Sequence, residues 1–278
     1  MTLILGGSGQ VGTAFRNLLP DAYAPSHADF DLADVAGIAA GVRALRPDRI
    51  INCAAYTAVD AAEDDEATAN LINGDAVAEL AAVADALGIP FVTFSTDYVF
   101  DGDTDEPYTE TSQPNPINAY GRSKLMGERA ALRVPGSLVV RTSWLFSATH
   151  PNFVATILAK AAEGEIRVVD DQWGRPTPVP ALATTTLRAL EDGAAGLLHL
   201  ACPPTTTWFE LARAACEAAG IDPRRVTPCS SDEYRRPARR PRHAVLGATS
   251  CYEMPDWRAE LAGIVAELRN DVSAVTNH

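Results

Sequence analysis

No apolar run in the chain approaches the ~20 residues that a bilayer-crossing helix needs, so none of its 278 residues is expected to span a membrane. It also lacks any Cys-x-x-Cys pair. The five cysteines, Cys53, Cys202, Cys216, Cys229 and Cys251, are odd in number, widely spaced and without a histidine at metal-ligand spacing. That pattern predicts reduced thiols in a cytosolic protein and argues against a disulfide framework or a metal site. Positive charge is scarce, since 23 Lys and Arg stand against 36 Asp and Glu, for a net charge of -13. A field of that sign repels nucleic acid and anionic membrane surfaces, so neither is an expected partner. Met1-Thr2-Leu3-Ile4-Leu5 runs straight into glycines with no basic segment, long apolar region or cleavage site. The expectation is a cytoplasmic protein.

What the chain does have is alternation. Short apolar runs, Leu3 to Leu5, Arg49 to Asn52, Phe91 to Phe94 and Leu138 to Val140, are separated by Ala-rich helical stretches at Gln10 to Leu19, Asp34 to Leu45, Glu66 to Leu87 and Ala119 to Ala131. Strand-helix alternation of this kind implies a parallel sheet, hence an α/β fold of the Rossmann type, a doubly wound parallel sheet. After Trp144 prolines interrupt shorter elements such as Ile166 to Val169 and Leu197 to Leu200. The expected division is a Rossmann domain over 1–150 and a smaller C-terminal substrate-binding lobe, mainly 151–278, with some segments free to return to the first domain.

Three motifs carry chemistry on this frame. Gly6, Gly9 and Gly12 form G-x-x-G-x-x-G between the first strand and first helix, where a tight turn lets a pyrophosphate approach free N–H groups at the helix start. The carboxylate expected near a coenzyme ribose about 20 residues later is missing from Tyr23-Ala24-Pro25-Ser26-His27. No arginine stands there either, which leaves NADPH and NADH both open. Ser95-Thr96-Asp97-Tyr98 ends the third apolar strand, at the sheet edge where ligands bind in open α/β folds. Tyr120 and Lys124 lie one helical turn apart, so a phenol and an ammonium share a face. An adjacent cation favours the phenolate and would draw the phenol toward the working range for proton transfer, although such pairs also arise on ordinary solvated helices. A fourth feature is the crowding of Arg235, Arg236, Arg239, Arg240 and Arg242 between prolines in an acidic chain. It could be a seat for a diphosphate or a solvated basic loop.

With GGSGQVG at 6–12, NCAAYTAVD at 52–60, STDYVFDG at 95–102, YGRSK at 120–124, RTSW at 141–144, DDQWGRPT at 170–177 and RPARRP at 236–241, the chain resembles the extended short-chain dehydrogenase/reductase family and, within it, the dTDP-4-dehydrorhamnose reductases. The resemblance spans nearly the whole chain. It implies NAD(P)H-dependent reduction of the C4 ketone of a dTDP-4-keto-6-deoxy sugar, with Tyr120 giving the proton, Lys124 tuning Tyr120 and holding the nicotinamide ribose, and Thr96 hydrogen-bonding the carbonyl. It implies further that Gly9, Gln10 and Val11 cradle the pyrophosphate, that Asp31 and Leu32 fall beside the adenine, and that Ala55, Tyr56 and Thr57 pass the coenzyme. Asp97, Trp144, Arg239 and Arg240 would meet the substrate, and Ser95 would point to the opposite face.

Two departures stand out. Thr13-Ala14 occupy the place where some relatives carry a metal-holding glutamate at a dimer interface, so no metal is expected and monomer and homodimer both remain open. Arg242-His243-Ala244 replace the serine or asparagine common after RPxxRP. Alternatives are a 4-ketoreductase for another dTDP-deoxysugar in an antibiotic pathway, or a non-catalytic dinucleotide-binding regulatory subunit. A dehydratase is disfavoured because Tyr98 stands where dehydratases carry a glutamate base.

Overall fold

Four apolar runs from the first half of the chain and one from the second build a single parallel sheet. The computed structural model describes residues 1–249 and 251–275. The elements in order are β1 (Thr2–Leu5), α1 (Gln10–Leu18), α2 (Val35–Leu45), β2 (Arg49–Asn52), α3 (Glu66–Asn70), α4 (Ala76–Leu87), β3 (Phe91–Thr96), α5 (Ala119–Ala131), β4 (Ser137–Thr142) and β5 (Leu145–Phe146). There follow α6 (Phe153–Glu163), β6 (Ile166–Val169), β7 (Trp173–Gly174), β8 (Thr177–Pro178), α7 (Val179–Glu191), β9 (Gly196–His199), β10 (Thr206–Thr207), α8 (Trp208–Ala218), β11 (Val226–Cys229) and α9 (Trp257–Val275). The main sheet runs β1-β2-β3-β4-β9, with every pair parallel.

Register follows from burial on both faces. Ile4 lies opposite Ile51, Ile51 opposite Val92 and Val92 opposite Leu138, and these four join Phe15 of α1 and Leu182 of α7 in one core. Their neighbours Leu3, Ile50, Phe91 and Val139 point the other way, onto Ile38 of α2 and Leu80 of α4. Alternate side chains of each strand thus feed two cores, which explains why these strands read as continuous apolar runs.

Tyr23 pairs with Leu3 on the free edge of β1, and the chain then crosses by α2 to β2 on the opposite side of β1. The winding reverses between β1 and β2, and a crevice opens there at the carboxyl ends of the strands. The Leu197 to Leu200 stretch, late in the sequence, forms β9 beside β4 and so belongs to this sheet. Beyond β4 the smaller assembly comprises the parallel pair β6–β11 and the antiparallel pair β7–β10, with α6 and α8 packed together.

The stretch from Glu66 to Leu87, expected as one helix, is broken at Leu71–Asp75 by a π-helical turn. Asn73 in that turn supplies the reason. Its amide oxygen accepts from the Tyr56 N–H and its amide nitrogen donates to the Tyr56 carbonyl, both at 2.9 Å, and to Ser123 Oγ, also at 2.9 Å. The widened turn aims one polar side chain at both the loop after β2 and α5.

Behind α5 lies a buried ion pair. Glu128 accepts from Ser95 Oγ at 2.7 Å, from Arg141 Nε at 2.9 Å and from Arg141 Nη2. Arg141 Nη1 donates to His199 Nε2 at 3.2 Å, and the guanidinium covers the Phe100 ring. Helix α5 is thereby fastened to β3, β4 and β9 at once. Leaving either charge buried without its partner costs about 3–5 kcal/mol. Glu128→Ala and Arg141→Met are therefore each expected to lower the urea midpoint sharply, and the double variant Glu128→Leu/Arg141→Met is expected to recover part of that loss.

Candidate active site

Gly6, with φ +71, turns the chain sharply out of β1, and a Cβ at this position would sit 2.5 Å from the Ala54 nitrogen. A Cβ on Gly12 would lie 2.2 Å from the Gly6 carbonyl oxygen. The turn closes with Gly9 N–H donating to Gly6 O at 3.0 Å, and Gly9 caps α1 without any side-chain bond. The first N–H groups of α1 are left for a ligand, and the helix dipole favours an anion there. That cradle fits the pyrophosphate of a dinucleotide, which Gly9, Gln10 and Val11 could hold.

Two cavities extend from this turn. One, of about 260 Å³, is lined by Gly6, Pro25, Phe30, Leu32, Ala55 and Tyr56 among others, a mainly apolar slot suited to an adenine. Asp31, next to Leu32, accepts the Ala33 N–H at 2.8 Å. The other, of about 270 Å³, runs from Val11 past Ala55 and Thr57 to Thr96, Asp97, Tyr120, Lys124 and Trp144. Ala55 lines both, so the two cavities lie on either side of the loop after β2.

Thr96, Tyr120 and Lys124 all line this second cavity. Asn118 positions the helix that carries two of them, since its Oδ1 accepts the Gly121 N–H at 2.7 Å while its Nδ2 donates to the Arg239 carbonyl at 2.8 Å. A Cβ on Gly121 would lie 2.1 Å from the Tyr98 carbonyl oxygen. Glycine at this site lets α5 press onto the turn that follows β3. Thr96 Oγ1 donates to Asp97 Oδ1 at 2.9 Å and accepts the Tyr98 N–H at 3.2 Å, and its hydroxyl opposes the rise of the Tyr120 phenol across the same cavity. Ser95 points away to Glu128, as strand alternation requires.

Burial dominates the electrostatics. Asp97 is buried, its Oδ2 has no hydrogen-bond partner, and desolvation pushes its carboxyl up to about 7. Lys124 is pushed down to about 8 by burial, against the opposing pull of Glu128. The Tyr120 phenol is raised, first by burial and then by the charge of Asp97. The expected lowering of Tyr120 by Lys124 does not appear; desolvation of the phenolate and the charge of Asp97 raise it instead. A phenol that stays protonated near neutral pH is the form that can give a proton to a carbonyl oxygen.

Trp144 adopts φ +49 and stacks on Trp208 at 3.6 Å between ring centroids. Gly174 makes room for this, since a Cβ there would fall 2.4 Å from the Trp144 ring. Trp208 was not anticipated from sequence, and Tyr98, read there only as standing in place of a dehydratase's base, packs edge-on against Tyr120 with centroids 6.0 Å apart. Both lie far in the chain from a recognisable motif or beside one whose other residues drew the reading. Arg240 is held by Asp60 and by the Ala238 carbonyl, and lies within reach of the Tyr98 hydroxyl. Hydrogen bonding from Arg240 is the main influence holding the Asp60 carboxyl below its usual range. Arg239 exposes its side chain to solvent. Among the described residues no cluster of three or more His, Cys, Asp or Glu could hold a metal ion, and no helix is long and apolar enough to cross a membrane.

A parallel sheet with a glycine cradle at its switch point, opening on a Tyr-Lys pair and a strand-end threonine, defines a nicotinamide-dinucleotide-binding fold of the short-chain dehydrogenase/reductase type. The chain matches the family described as RmlD substrate binding domain over residues 1–270 and belongs to that family. It is 38% identical to a dTDP-4-dehydrorhamnose reductase of Burkholderia thailandensis over 96% of this chain and 98% of the relative. It is 39% identical to a dTDP-4-keto-6-deoxy-D-glucose reductase of Streptomyces niveus, covering 88% of each. Among solved structures, a dTDP-4-dehydrorhamnose reductase from Bacillus anthracis in complex with NADP superposes with a TM-score of 0.91 at 33% identity, covering 96% of this chain and 98% of that one.

The cradle gives a direct test. Gly12→Val places branched carbon atoms against the Gly6 carbonyl, and is expected to weaken NADPH binding at least about a hundredfold while the protein remains folded. Titration of coenzyme fluorescence, with circular dichroism as the control for folding, measures both.

Proposed function

We propose that this protein is an NAD(P)H-dependent reductase of the C4 ketone of a dTDP-linked 4-keto-6-deoxy sugar, converting dTDP-4-dehydro-L-rhamnose to dTDP-L-rhamnose in the cytoplasm. The observation that carries this reading is the convergence of Thr96, Tyr120 and Lys124 in a cavity also lined by Val11, in the first turn of the helix that follows the glycine cradle. When bound, the reduced nicotinamide supplies a hydride to C4.

The chain's own residues do the remainder. Tyr120 holds the proton that the ketone oxygen receives, and burial keeps it on the phenol until charge develops on that oxygen. Lys124 presents a cation beside the reacting centre, where it would hold the nicotinamide ribose and favour the phenolate left behind. Thr96 reaches the same oxygen from the end of β3. The stacked Trp144 and Trp208 wall the far side of the cavity and exclude water from the ketone. The C-terminal lobe brings Trp208 to the cavity, and the exposed arginines of 235–242 would meet the diphosphate, with Arg240 bracing that segment through Asp60.

A second reading, reduction of a different dTDP-linked 4-keto sugar, is favoured by the similarity to the Streptomyces niveus protein. Both readings use the same carbonyl chemistry and differ in a few pocket contacts. Incubation with each sugar and either coenzyme, followed by identification of the product by NMR, separates them. Tyr120→Phe is expected to lower turnover by at least about a hundredfold while coenzyme affinity holds within about threefold. Unchanged turnover would remove Tyr120 from the proton-donating role, and an absence of turnover in the unaltered protein with either coenzyme would favour a non-catalytic binding subunit.

A further inference from the structure

Thr96 carries a single hydroxyl proton, and that proton is directed at Asp97 Oδ1. While Asp97 is ionised the side facing the reacting centre is left with lone pairs, so Thr96 can donate toward that centre only when Asp97 carries a proton. Asp97 itself is 3% exposed, lines the cavity and keeps Oδ2 without a partner. A carboxylate so placed has one oxygen desolvated and unsatisfied, whereas a carboxylic acid can donate from Oδ1 to Thr96 Oγ1 and leave Oδ2 as a weaker acceptor. Thr96 Oγ1 is 2.9 Å from Asp97 Oδ1, and Tyr120 faces the same cavity within the influence of the Thr96 hydroxyl, so Thr96 stands between the two.

We propose that Asp97 is the internal proton source of the site, returning a proton to Tyr120 through the Thr96 hydroxyl after each turnover. The proposal rests on the reductase reading above. In the reaction the Tyr120 O–H bond breaks and an O4–H bond forms, leaving a phenolate. The Thr96 proton passes to the phenolate, and the Asp97 carboxyl proton passes to Thr96 Oγ1. Asp97 ends as a carboxylate and is reprotonated by hydronium or buffer acid that enters once product has left. One proton is consumed from solvent per ketone reduced, and Asp97 fixes its route.

Other charged groups near the relay are few. Tyr98 adjoins Asp97 in the same turn, Tyr120 and Lys124 face the cavity from α5, and Arg240 and Asp60 approach Tyr98 from the arginine segment and the loop after β2. The tendency of Asp97 to titrate near neutrality, about 7, suits a group that must both hold and release a proton at working pH. Above that pH its carboxylate captures the Thr96 proton and turns the chain of hydrogen bonds away from Tyr120.

Two measurements test the relay. In stopped-flow reduction of a dTDP-linked 4-keto-6-deoxy sugar by NADPH, the first turnover draws on the proton already held by Tyr120, while later turnovers need Asp97. In wild type the first turnover is expected to persist as pH rises through about 7 while the steady-state rate falls. Asp97→Asn is expected to slow steady-state turnover at least about tenfold more than it slows the first turnover. Equal slowing of both phases, or a steady-state rate that ignores pH in this range, would overturn the relay and leave Asp97 as a substrate contact.

The second measurement needs no substrate, so it stands apart from any failure of the reductase reading. The folded chain holds the Asp97 proton up to about 7 whereas the unfolded chain releases it near 3.8, so this group makes stability fall as pH rises between those values. The difference in melting temperature between Asp97→Asn and wild type should therefore shift in favour of the variant across that interval. A difference that is flat with pH would show Asp97 ionised throughout, and would sink the proposal even with an active enzyme.

Discussion

The ion pair between Glu128 and Arg141 is the constraint on which the site depends. It lies between helix α5 and the sheet, and ties the helix to strands on which the rest of the cavity is built. Taking two charges out of water is costly, and an apolar substitute of similar volume is often as stable. What the pair adds is direction. A guanidinium fork and a carboxylate accept only a narrow set of geometries, so α5 cannot slide along β3 and β4 without breaking several hydrogen bonds together. Glu128 is one turn beyond Lys124, which is one turn beyond Tyr120, and the stripe that anchors the helix is the stripe that presents the phenol and ammonium.

The network continues outward from Arg141. Because a guanidinium can only donate, His199 Nε2 must accept, and the imidazole is neutral, pushed down to about 4 chiefly by burial. The backbone N–H of His199 donates to Thr249 Oγ1 at 2.8 Å and to Glu110 Oε1 at 3.2 Å. Ser95, Glu110, Glu128, Arg141, His199 and Thr249, from six separate stretches, thus share one polar core behind the cavity. The backbone of segment 244–249 is held by the same region, through Tyr108 N–H to Val245 O and Gly247 N–H to Tyr108 O. The smaller assembly is therefore registered on the Rossmann sheet by hydrogen bonds as well as by apolar packing.

Much of this was legible in the chain, and the limits have physical causes. Strands buried on both faces leave apolar runs, so β2 was read with its observed ends, as was the partly exposed β6 from its Ile and Val content, and the glycine turn and the Tyr-Lys spacing are local patterns. The break at Leu71–Asp75 was invisible, because a π-turn is imposed by what Asn73 binds across the fold, and helix propensity is indifferent to it. The rise of Tyr120 in place of its fall was hidden for a similar reason. Spacing reveals a neighbouring cation, but desolvation is a property of everything packed around the ring. Trp208 joined the cavity only through a stack with Trp144, 64 residues earlier by the numbering, which no local pattern encodes.

The arginine segment shows how packing changes the meaning of a charge cluster. Read along the chain, five guanidinium groups look equivalent. Folded, Arg240 is part-buried and committed to Asp60, to the Ala238 carbonyl and to the neighbourhood of Tyr98. Asp60 also accepts the Ala238 N–H at 3.2 Å and faces Arg236 at 3.7 Å, so one carboxylate gathers the start of the segment onto the loop after β2. Asn118 holds the Arg239 carbonyl and the first turn of α5 with opposite ends of one amide. The segment that would grip a phosphate is thus coupled, through two side chains, to the helix that carries Tyr120. A guanidinium already neutralised by a carboxylate has little attraction left for a second anion. Arg240 is better suited to setting the position of its exposed neighbours than to competing with them for the ligand.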